Sequence, residues 1–404
     1  MNRREVKKAP VLRFKGFTND WEQRKLGDIS EIIRGASPRP ISDPKWFNSN
    51  SNIGWLRISD VTAQHGRIQH LSQHISILGQ AKTRVISTPH LLLSIAASVG
   101  YPVINYVKTG VHDGFLIFEN PKFNIDFGFY WLAFYKHEWQ KFGQPGSQVN
   151  LNSSIVKKTN IGLPDNVEQK AIVHLLKLIV NCITLQQRKL KLLRTLKSGL
   201  SFKLFNKKHL NNLSQISLDQ IGRTYSGLTG KSKKDFGHGH AFYVSYLNVN
   251  QNEIGNPKQI DRIEIDKKQN LVQKNDIFFT ISSETPEEVG LTSLWPVSCK
   301  NLYLNSFCFG FRINTKMFIP LYLGYLFRSE YFREKVLPLA QGISRYNLSK
   351  NNVLKIKIGQ EEIAIQEKYA KVMNDLDSDI LRQKKKVKEL KLCKKFLPPI
   401  VKSN

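Results

Sequence analysis

The sequence lacks most of the features that mark secreted, membrane-embedded and redox-active proteins. Its 404 residues include only four cysteines, and no two of them form a C-x-x-C pair, so neither a disulfide framework nor a zinc site is indicated. No apolar run reaches the ~18 residues that a membrane-spanning helix needs, since the best candidate, residues 91–107, is interrupted by serines, a glycine and a proline. The basic N-terminus has no apolar segment of the kind found in a secretory signal. We therefore expect a cytoplasmic protein with reduced thiols and no membrane contact.

Acidic residues are also scarce. The chain has 32 Asp and Glu against 61 Lys and Arg, which gives a formal net charge of +29. Such an excess of one sign repels itself unless a polyanion lies against it, and nucleic acid is the polyanion that such proteins most often bind. The composition therefore predicts a nucleic-acid partner, and double-stranded DNA in particular once the organisation of the chain is considered.

Motifs that carry catalysis are missing as well. An adenine methyltransferase needs an Asn/Asp-Pro-Pro-aromatic loop to hold a flipped base, whereas the only Pro-Pro pair is Pro398-Pro399, near the end of the chain. The stretch GLTGKS (227–232) ends like a phosphate-binding loop, but Tyr225 stands where that motif requires glycine. No group of histidines has the neighbouring cysteines or carboxylate pattern of a metal site. The sequence thus predicts no catalytic site, no metal and no cofactor bound by this chain.

What the sequence does contain is a large internal repeat. Displacing the chain by 197 residues aligns Gln169 with Gln366 without a gap, and it aligns the end of the loop GSQVNL (146–151) with that of GISRYNL (342–348). Repeats on this scale indicate duplicated structural units. We interpret the shared glycine and Asn-Leu as the frame of each loop, and the differing residues between them as the part that contacts different bases.

A helix with the 4-3 spacing of a coiled-coil seam follows each copy of that loop. In each helix eight of the ten seam positions are apolar, and the two exceptions are a glutamine and a lysine at the same places. Because any polar residue would suit a solvated position, this agreement indicates that the helices are copies of each other. The central seam positions are Ile179, Ile183, Gln186 and Leu190 in the first helix and Leu376, Ile380, Gln383 and Val387 in the second.

The polar seam residues indicate how the helices pair. A parallel pair in register would place Lys197 against Lys394 in a partly desolvated layer, which is unfavourable. In an antiparallel pair, Gln186 and Gln383 approach each other near the middle, and each lysine meets an apolar layer with its ammonium extended to water. We therefore expect an antiparallel pair with a pseudo-twofold axis and one globular domain at each end, as in a dimeric repressor.

The stretch before each helix has a different residue pattern, in which short runs of Val, Ile, Phe and Tyr alternate with Gly, Pro, Asn and Ser. This pattern is typical of strands and turns. It predicts an α+β fold, with two domains of mixed strands and helices separated by two long antiparallel coiled-coil helices, the first carrying Gly199 as a candidate bend or early end. The predicted organisation is a basic N-terminal arm (1–20), a first domain (21–164), a first spacer helix (165–207), a second domain (208–362), a second spacer helix (363–397) and a tail (398–404).

Several stretches together resemble the specificity subunit of type I restriction–modification systems. They are PVLRFKGFTNDWEQRKLGDI (10–29), RISD (57–60), the loops GSQVNL and SRYNL, and EQKAI at the start of the first helix. The order globule, helix, globule, helix, with duplicated helices, is the specific part. The second helix departs from the family's entry sequence, with IAIQEKYA in place of VEQKAIVH.

This resemblance implies that each globule is a target recognition domain reading one half of a split DNA target, and that the helices set the spacing. It also implies two modification (methyltransferase) subunits and the restriction (translocase and endonuclease) subunits as partners. S-adenosylmethionine, ATP and Mg would then be bound in those partners. The chain itself would be a non-catalytic specificity subunit; a stand-alone bipartite DNA-binding protein, such as a repressor or an architectural factor, is the alternative.

Base or phosphate contacts are predicted for polar side chains on glycine- and proline-framed loops. Arg can form two hydrogen bonds with the edge of a guanine, and Gln or Asn can form two with the edge of an adenine. Solvated loop arginines are the alternative for RGASPRP, a plain buried strand is the alternative for SIAASVGY, and a strand-capping loop is the alternative for Gln148 and Arg345. The basic surfaces of the long helices suit solvent, DNA phosphates or acidic partners equally. The predicted DNA-binding residues are Arg34, Ser37, Arg39, Arg57, Ser94, Ser98, Tyr101, Gln148, Asn150, Thr229, Lys231, Ser232, Arg345, Tyr346 and Asn347.

Overall fold

The computed structural model describes residues 13–96, 99–139 and 151–395. The chain divides into two compact units, one of residues 1–186 and 386–404 and the other of residues 187–385. Each unit therefore contains one sheet-rich domain together with part of each long helix. The domain boundaries predicted from the sequence differ, because they set the spacer helices (165–207 and 363–397) apart from the two domains.

The first unit is built from short strands and helices that lead into one long helix. Its main sheet has the strand order β2-β9-β6-β7-β4, a smaller sheet has the order β3-β8-β5, and β1 pairs with β10. The elements are β1 (Glu22–Lys25), α1 (Leu26–Ile29), β2 (Glu31–Arg34), β3 (Gly54–Trp55), α2 (Ile58–Ala63), β4 (Arg67–Ile68), α3 (Ile77–Gln80), β5 (Arg84–Ile86), β6 (Leu91–Ser94), β7 (Pro102–Asn105), β8 (Thr109–Val111), β9 (Phe115–Glu119), α4 (Ile125–Trp139), α5 (Ser153–Lys158), β10 (Asn160–Leu163) and the long helix α6 (Asn166–Leu204).

The central strands of this unit are buried on both faces. Leu91 and Leu93 of β6 pack into a core with Phe127 and Trp131 of α4, whereas Leu92 points into a second core on the other side of the sheet. Successive side chains of a strand point to opposite faces, so a continuous apolar run such as LLL fits a strand that is covered on both sides.

The second unit repeats this plan. Its sheets have the orders β12-β19-β15-β17, β14-β13-β18 and β16-β21-β20, and β11 pairs with β22. The elements are α7 (Lys207–Asn212), β11 (Gln215–Ser217), α8 (Leu218–Ile221), β12 (Gly222–Ser226), β13 (Phe236–Val244), α9 (Tyr246–Gln251), β14 (Ile260–Ile263), β15 (Ile277–Thr280), β16 (Ser282–Ser283), β17 (Thr292–Leu294), β18 (Leu302–Leu304), β19 (Cys308–Ile313), α10 (Pro320–Leu326), α11 (Glu330–Val336), β20 (Ala340–Gln341), β21 (Tyr346–Leu348), α12 (Lys350–Leu354), β22 (Lys357–Gly359) and the long helix α13 (Ile363–Lys395).

The aligned glutamines make the same hydrogen bonds in the two units. The side-chain oxygen of Gln169 accepts the Asn124 N–H at 2.8 Å, and its amide nitrogen donates to the carbonyl of Pro164, five residues earlier. Gln366 likewise accepts the Ile319 N–H at 2.8 Å and donates to the carbonyl five residues before it. In each unit the glutamine therefore ties the start of the long helix to the residue just before a domain helix, α4 or α10. The sequence repeat is thus a repeat of structure.

Both long helices show the predicted seam as a pattern of burial. Between residues 184 and 199 of α6, only Gln186, Leu190, Leu193 and Lys197 are half-buried, and the other residues are exposed. In α13 the seam positions from 369 to 390 are all buried or half-buried, while Lys394 is exposed. The helix continues through Gly199 to residue 204, so the early end considered at that glycine is wrong.

The helices run antiparallel within the second unit. Lys197 Nζ lies 2.6 Å from the Asp377 carboxylate, and the ring of Phe205 lies 6.3 Å from that of Tyr369. From Lys197 to Phe205 the residue number rises by eight, whereas the number of the residue contacted falls by eight, from Asp377 to Tyr369. Only antiparallel helices produce this relation. The expected surroundings of Lys197 were wrong, because its ammonium contacts the carboxylates of Asp377 and Glu253 rather than an apolar layer and water.

Candidate nucleic-acid interface

A glycine at the same structural position begins the candidate DNA-contacting loop of each unit. Gly35 follows β2 and Gly227 follows β12. A Cβ at Gly35 would lie 2.1 Å from the carbonyl oxygen of His112, and one at Gly227 would lie 2.1 Å from that of Asn305. No side chain fits such a close backbone approach. The chain therefore leaves the main sheet at the same point and in the same way in both units.

In the first unit, three predicted residues converge on Asp113, one at the end of β2 and two on this loop. The Arg34 guanidinium donates to the Asp113 main-chain carbonyl at 2.6 Å. The Ser37 hydroxyl donates to one carboxylate oxygen at 2.8 Å, and Arg39 donates to the other at 3.0 Å. Burial alone would raise the pKa of Asp113, but the Ser37 hydrogen bond and the charges of Arg34 and Arg39 hold it below its usual range. Asp113 is therefore an anion at neutral pH.

The loop forms one wall of a cleft of about 650 Å³. Trp55, which is 4% exposed, and Ile58 contribute apolar surface, and Arg57 lies on the lining together with Ser37 and Arg39. The Arg57 guanidinium donates to Ser72 Oγ and to Asp60, and its side chain is 42% exposed. The structure thus brings three predicted residues from two separate stretches of sequence into one concave, cationic surface.

His112 adds a neutral polar group to this cleft. Its ring lies 5.7 Å from that of Trp55, and its Nδ1 accepts the Gly114 N–H at 2.9 Å. Burial lowers the pKa of His112, and the nearby carboxylate of Asp113 only partly opposes the shift. The ring is therefore uncharged at neutral pH, and the positive charge of the cleft comes from its arginines.

The stretch SIAASVGY divides into buried and exposed parts. Ser94 is 0% exposed within β6, and its hydroxyl accepts the Tyr101 N–H at 2.9 Å. This burial contradicts the prediction of a DNA contact for Ser94 and supports the buried strand instead. Tyr101 is 42% exposed, with the Lys136 ammonium 3.3 Å from its ring centroid, while Ser98 lies outside the described residues.

The corresponding loop of the second unit places its lysine against a carboxylate. Lys231 Nζ lies 2.8 Å from Asp266, and the backbone of Thr229 exchanges two hydrogen bonds with the side chain of Gln269. The hydrogen bond from Lys231, with others from Lys268 and Gln269, lowers the pKa of Asp266 to about 2. Ser232 caps the turn that follows and bonds with Asp235. A three-residue turn follows this loop rather than the long helix of a phosphate-binding motif.

The second copy of the repeated loop (342–348) lies in a β-hairpin of the second unit. Strands β20 and β21 pair antiparallel, and Gly342 opens the turn with φ +137, where a Cβ would lie 2.0 Å from the Arg345 carbonyl oxygen. Arg345 is 58% exposed at the turn, 3.9 Å from Glu284. Tyr346 is half-buried and Asn347 exposed on β21. In the first copy, Gln148 and Asn150 lie outside the described residues.

Apart from Lys197 and Lys394, the basic residues along the second half of each long helix lie outside the seam. Seven of the eight between residues 186 and 208 are exposed, and Lys197 is the exception. All seven between residues 382 and 394 are exposed as well. A cationic surface therefore runs along the exposed sides of both helices.

The described part of the chain contains neither a candidate metal site nor a membrane-spanning helix. No group of three or more His, Cys, Asp or Glu side chains there could hold a metal ion. None of the helices there is long and apolar enough to cross a bilayer.

Sequence reasoning missed the two aspartates. Asp113 lies 74 residues from Arg39, and Asp266 lies 35 residues from Lys231, so no local pattern connects either pair. The one available signal was the spacing after the matched glycines. Ser37 and Arg39 follow Gly35 by two and four residues, and Thr229 and Lys231 follow Gly227 by the same steps.

Part of the chain matches the model of a known protein family, and its fold is similar to that of solved structures. Residues 18–195 match the sequence model of the family described as "Type I restriction modification DNA specificity domain". Among solved structures, the chain is similar to the S subunit of a type I restriction–modification system from M. genitalium, with a TM-score of 0.59 and 14% identity over 98% of this chain and 99% of that one. It is also similar to a chain from a study of complex assembly and conformational transition in a type I system, with a TM-score of 0.54 and 12% identity over 94% and 96% of the two chains. At these identities the structural likeness concerns the fold.

Proposed function

We propose that the chain is a DNA specificity subunit of a type I restriction–modification system, as the match of residues 18–195 to that family's model supports, and that its two sheet-rich domains each read one half of a split DNA target. It is the DNA-recognition subunit of such a system. The contacts with the first half are assigned to the cleft formed by Ser37, Arg39 and Arg57. Those with the second half are assigned to the loop of Thr229 and Lys231 and to the hairpin of Arg345. The long helices set the unread gap between the halves.

The observation that carries this division is a repeated frame with different surface residues. The strand pair that precedes the long helix (β1 with β10, and β11 with β22), the two close-packed glycines and the helix-tying glutamines are common to both units. The polar residues on the loops differ in identity, with Ser37 and Arg39 in the first unit and Thr229 and Lys231 in the second. Contacts to phosphates position a protein on DNA, whereas contacts to base edges carry the sequence information. Conserved geometry with changed loop residues therefore suits two readers of different half-targets.

Catalysis and cofactors are assigned to partner subunits. Two modification subunits would use S-adenosylmethionine, and restriction subunits would use ATP and Mg, in a cytoplasmic complex. The chain itself contributes recognition and scaffolding, and the exposed basic surfaces of the helices are available to acidic partners or to the spacer DNA. The match of residues 18–195 to the specificity-domain family disfavours the alternative of a stand-alone repressor or architectural factor.

Methylome sequencing tests this proposal. Cells that carry this chain together with its modification subunits should show methylated adenines in a target of two short specified halves separated by a fixed unspecified gap. Deleting the gene for this chain alone should remove that methylation while the modification subunits remain present. A continuous target without a gap, or methylation that survives the deletion, would contradict the proposed role.

A further inference from the structure

The two glycine-led loops carry a cation at the same position. Arg39 follows Gly35 by four residues, and Lys231 follows Gly227 by four residues. A hydroxyl residue stands midway in each loop, at the second position after the glycine. Because both glycines make the same close backbone approach, the two cations leave the sheet from equivalent points.

Each of these cations is held by an aspartate that belongs to another part of the fold. Asp113 follows β8 in the first unit, and its carboxylate lies 3.0 Å from the Arg39 guanidinium. Asp266 follows β14 in the second unit, and its carboxylate lies 2.8 Å from Lys231 Nζ. The aspartates come from different strands, so the duplicated frame does not itself explain why both loops have one.

We propose that Asp113 and Asp266 determine specificity by holding the loop cations back from DNA phosphates, so that each cation engages DNA fully only where a target base replaces the carboxylate. This inference rests on the proposed function, since it concerns how each half-target is discriminated from other DNA. Asp113 and Asp266 are thus positioning residues, and Arg39 and Lys231 make the contact.

The physical reason is a competition between anions. A free cation on a basic surface binds any phosphate, and that contact favours every sequence equally. A carboxylate already bonded to the cation must first be displaced, which reduces the gain from a phosphate contact. A guanine edge offers a guanidinium two acceptors in a fixed geometry, so it can compensate for the lost carboxylate. Arg39 is well placed for such an exchange because its side chain is 81% exposed, and exposed ion pairs are weak.

Asp113→Asn isolates this effect because it removes the charge and leaves the backbone contacts. The Arg34 bond goes to the main-chain carbonyl, and the Asp113 N–H donates to Ser37 Oγ at 3.2 Å, so neither depends on the carboxylate. Glu22→Gln is a matched control, since Glu22 is an exposed carboxylate paired with Arg24 on β1 of the same unit. Both changes raise the net charge by one.

The experiment measures binding of the assembled modification complex to two short duplexes across a range of salt concentrations. One duplex carries the methylome-derived target, and the other has its first half scrambled. Asp113→Asn should tighten binding to the scrambled duplex several-fold, and its salt slope should steepen by about 0.9, the value for one added phosphate contact. Discrimination between the duplexes should fall by the same factor. Arg39→Gln combined with Asp113→Asn should abolish the gain, and Glu22→Gln should not reproduce it.

Three results would overturn the inference. Unchanged or weaker binding of Asp113→Asn to the scrambled duplex would show that the carboxylate does not restrain the arginine. A gain that persists in the double variant, or an equal gain in Glu22→Gln, would show a general charge effect. Asp266→Asn, with Lys231→Gln as its partner change, repeats the test on the second half-target and replaces the first if Asp113→Asn fails to assemble. A missing split target would count against the proposed function, whereas a split target with unchanged affinities would count only against this inference.

Discussion

Inserting one heptad into each long helix should lengthen the unread gap of the DNA target and leave both half-targets unchanged. The insertions are placed after Gln187 in α6 and after Lys384 in α13. These points lie within one residue of the positions where the chain passes from one compact unit to the other, between residues 186 and 187 and between 385 and 386. Neither insertion therefore interrupts the sheets, the loops or the glutamine ties of either unit.

The size of the effect follows from helix and DNA geometry. Seven residues add about 10 Å of helix at 1.5 Å per residue, and DNA advances about 3.4 Å per base pair. The gap should therefore grow by about three base pairs. A seven-residue insertion keeps the 4-3 seam in phase, so the positions that are buried or half-buried remain so. A five-residue insertion at the same points is the matched control, since it rotates the seam away and should reduce stability and methylation.

Methylome sequencing of the two variants gives the result directly. The reverse experiment exchanges the loop around Gln148, which should change one half-target and preserve the gap. If the heptad insertion alters the bases that are read, or if the loop exchange alters the gap, this division of labour between helices and loops is wrong.

The assembled complex should lose DNA affinity steeply between ~50 and ~200 mM salt, because a surplus of basic residues acts largely on phosphates; a flat dependence would argue against a phosphate-dominated interface. The purified chain, shown to be free of modification subunit, should neither methylate nor cut DNA, and cofactor-dependent methyl transfer in that preparation would refute its non-catalytic role. Lys197→Met should destabilise the second unit by about 1–3 kcal/mol, because the half-buried carboxylates of Asp377 and Glu253 lose their shared cation. Lys191→Met, on the exposed side of the same helix, should change stability by less than about 0.5 kcal/mol. Thermal unfolding compares the two variants, and equal shifts would contradict the role of Lys197.

The helices and their orientation were accessible from the sequence because their signal is periodic and local. Every third or fourth residue of α6 and α13 reports on the same seam, so a few mismatches do not hide it. The matched glutamines Gln169 and Gln366 were visible for a related reason, since a duplication preserves the spacing between a helix start and the residue that ties it down. The fold class followed from the contrast between these helices and the strand-rich stretches before them.

The candidate site was less accessible because its contacts join distant parts of the chain. Arg34, Ser37 and Arg39 could be selected as polar residues on a glycine-framed loop, but nothing near them indicates Asp113. Ser94 shows the converse difficulty, because a serine in a run of small residues has the same local pattern whether it lies on the surface or inside a sheet. Its burial depends on β7 and β9, the neighbours of β6 in the sheet.

The seam lysines Lys197 and Lys394 show that identical residues at matching positions of a repeat need not make the same contacts. Lys197 and Lys394 occupy matching positions, yet Lys197 is half-buried between carboxylates and Lys394 is exposed. The residue that corresponds to Asp377 in the first copy is Val180, which offers no charge. An ion pair therefore fixes the register of the two helices within the second unit, and the first copy has no counterpart of its acid. A duplication supplies the same backbone to both copies, and substitutions around each retained side chain then decide what that side chain contacts. The same reasoning applies to Arg39 and Lys231, whose aspartates follow different strands, β8 and β14, and it agrees with the proposal that the two units read different half-targets.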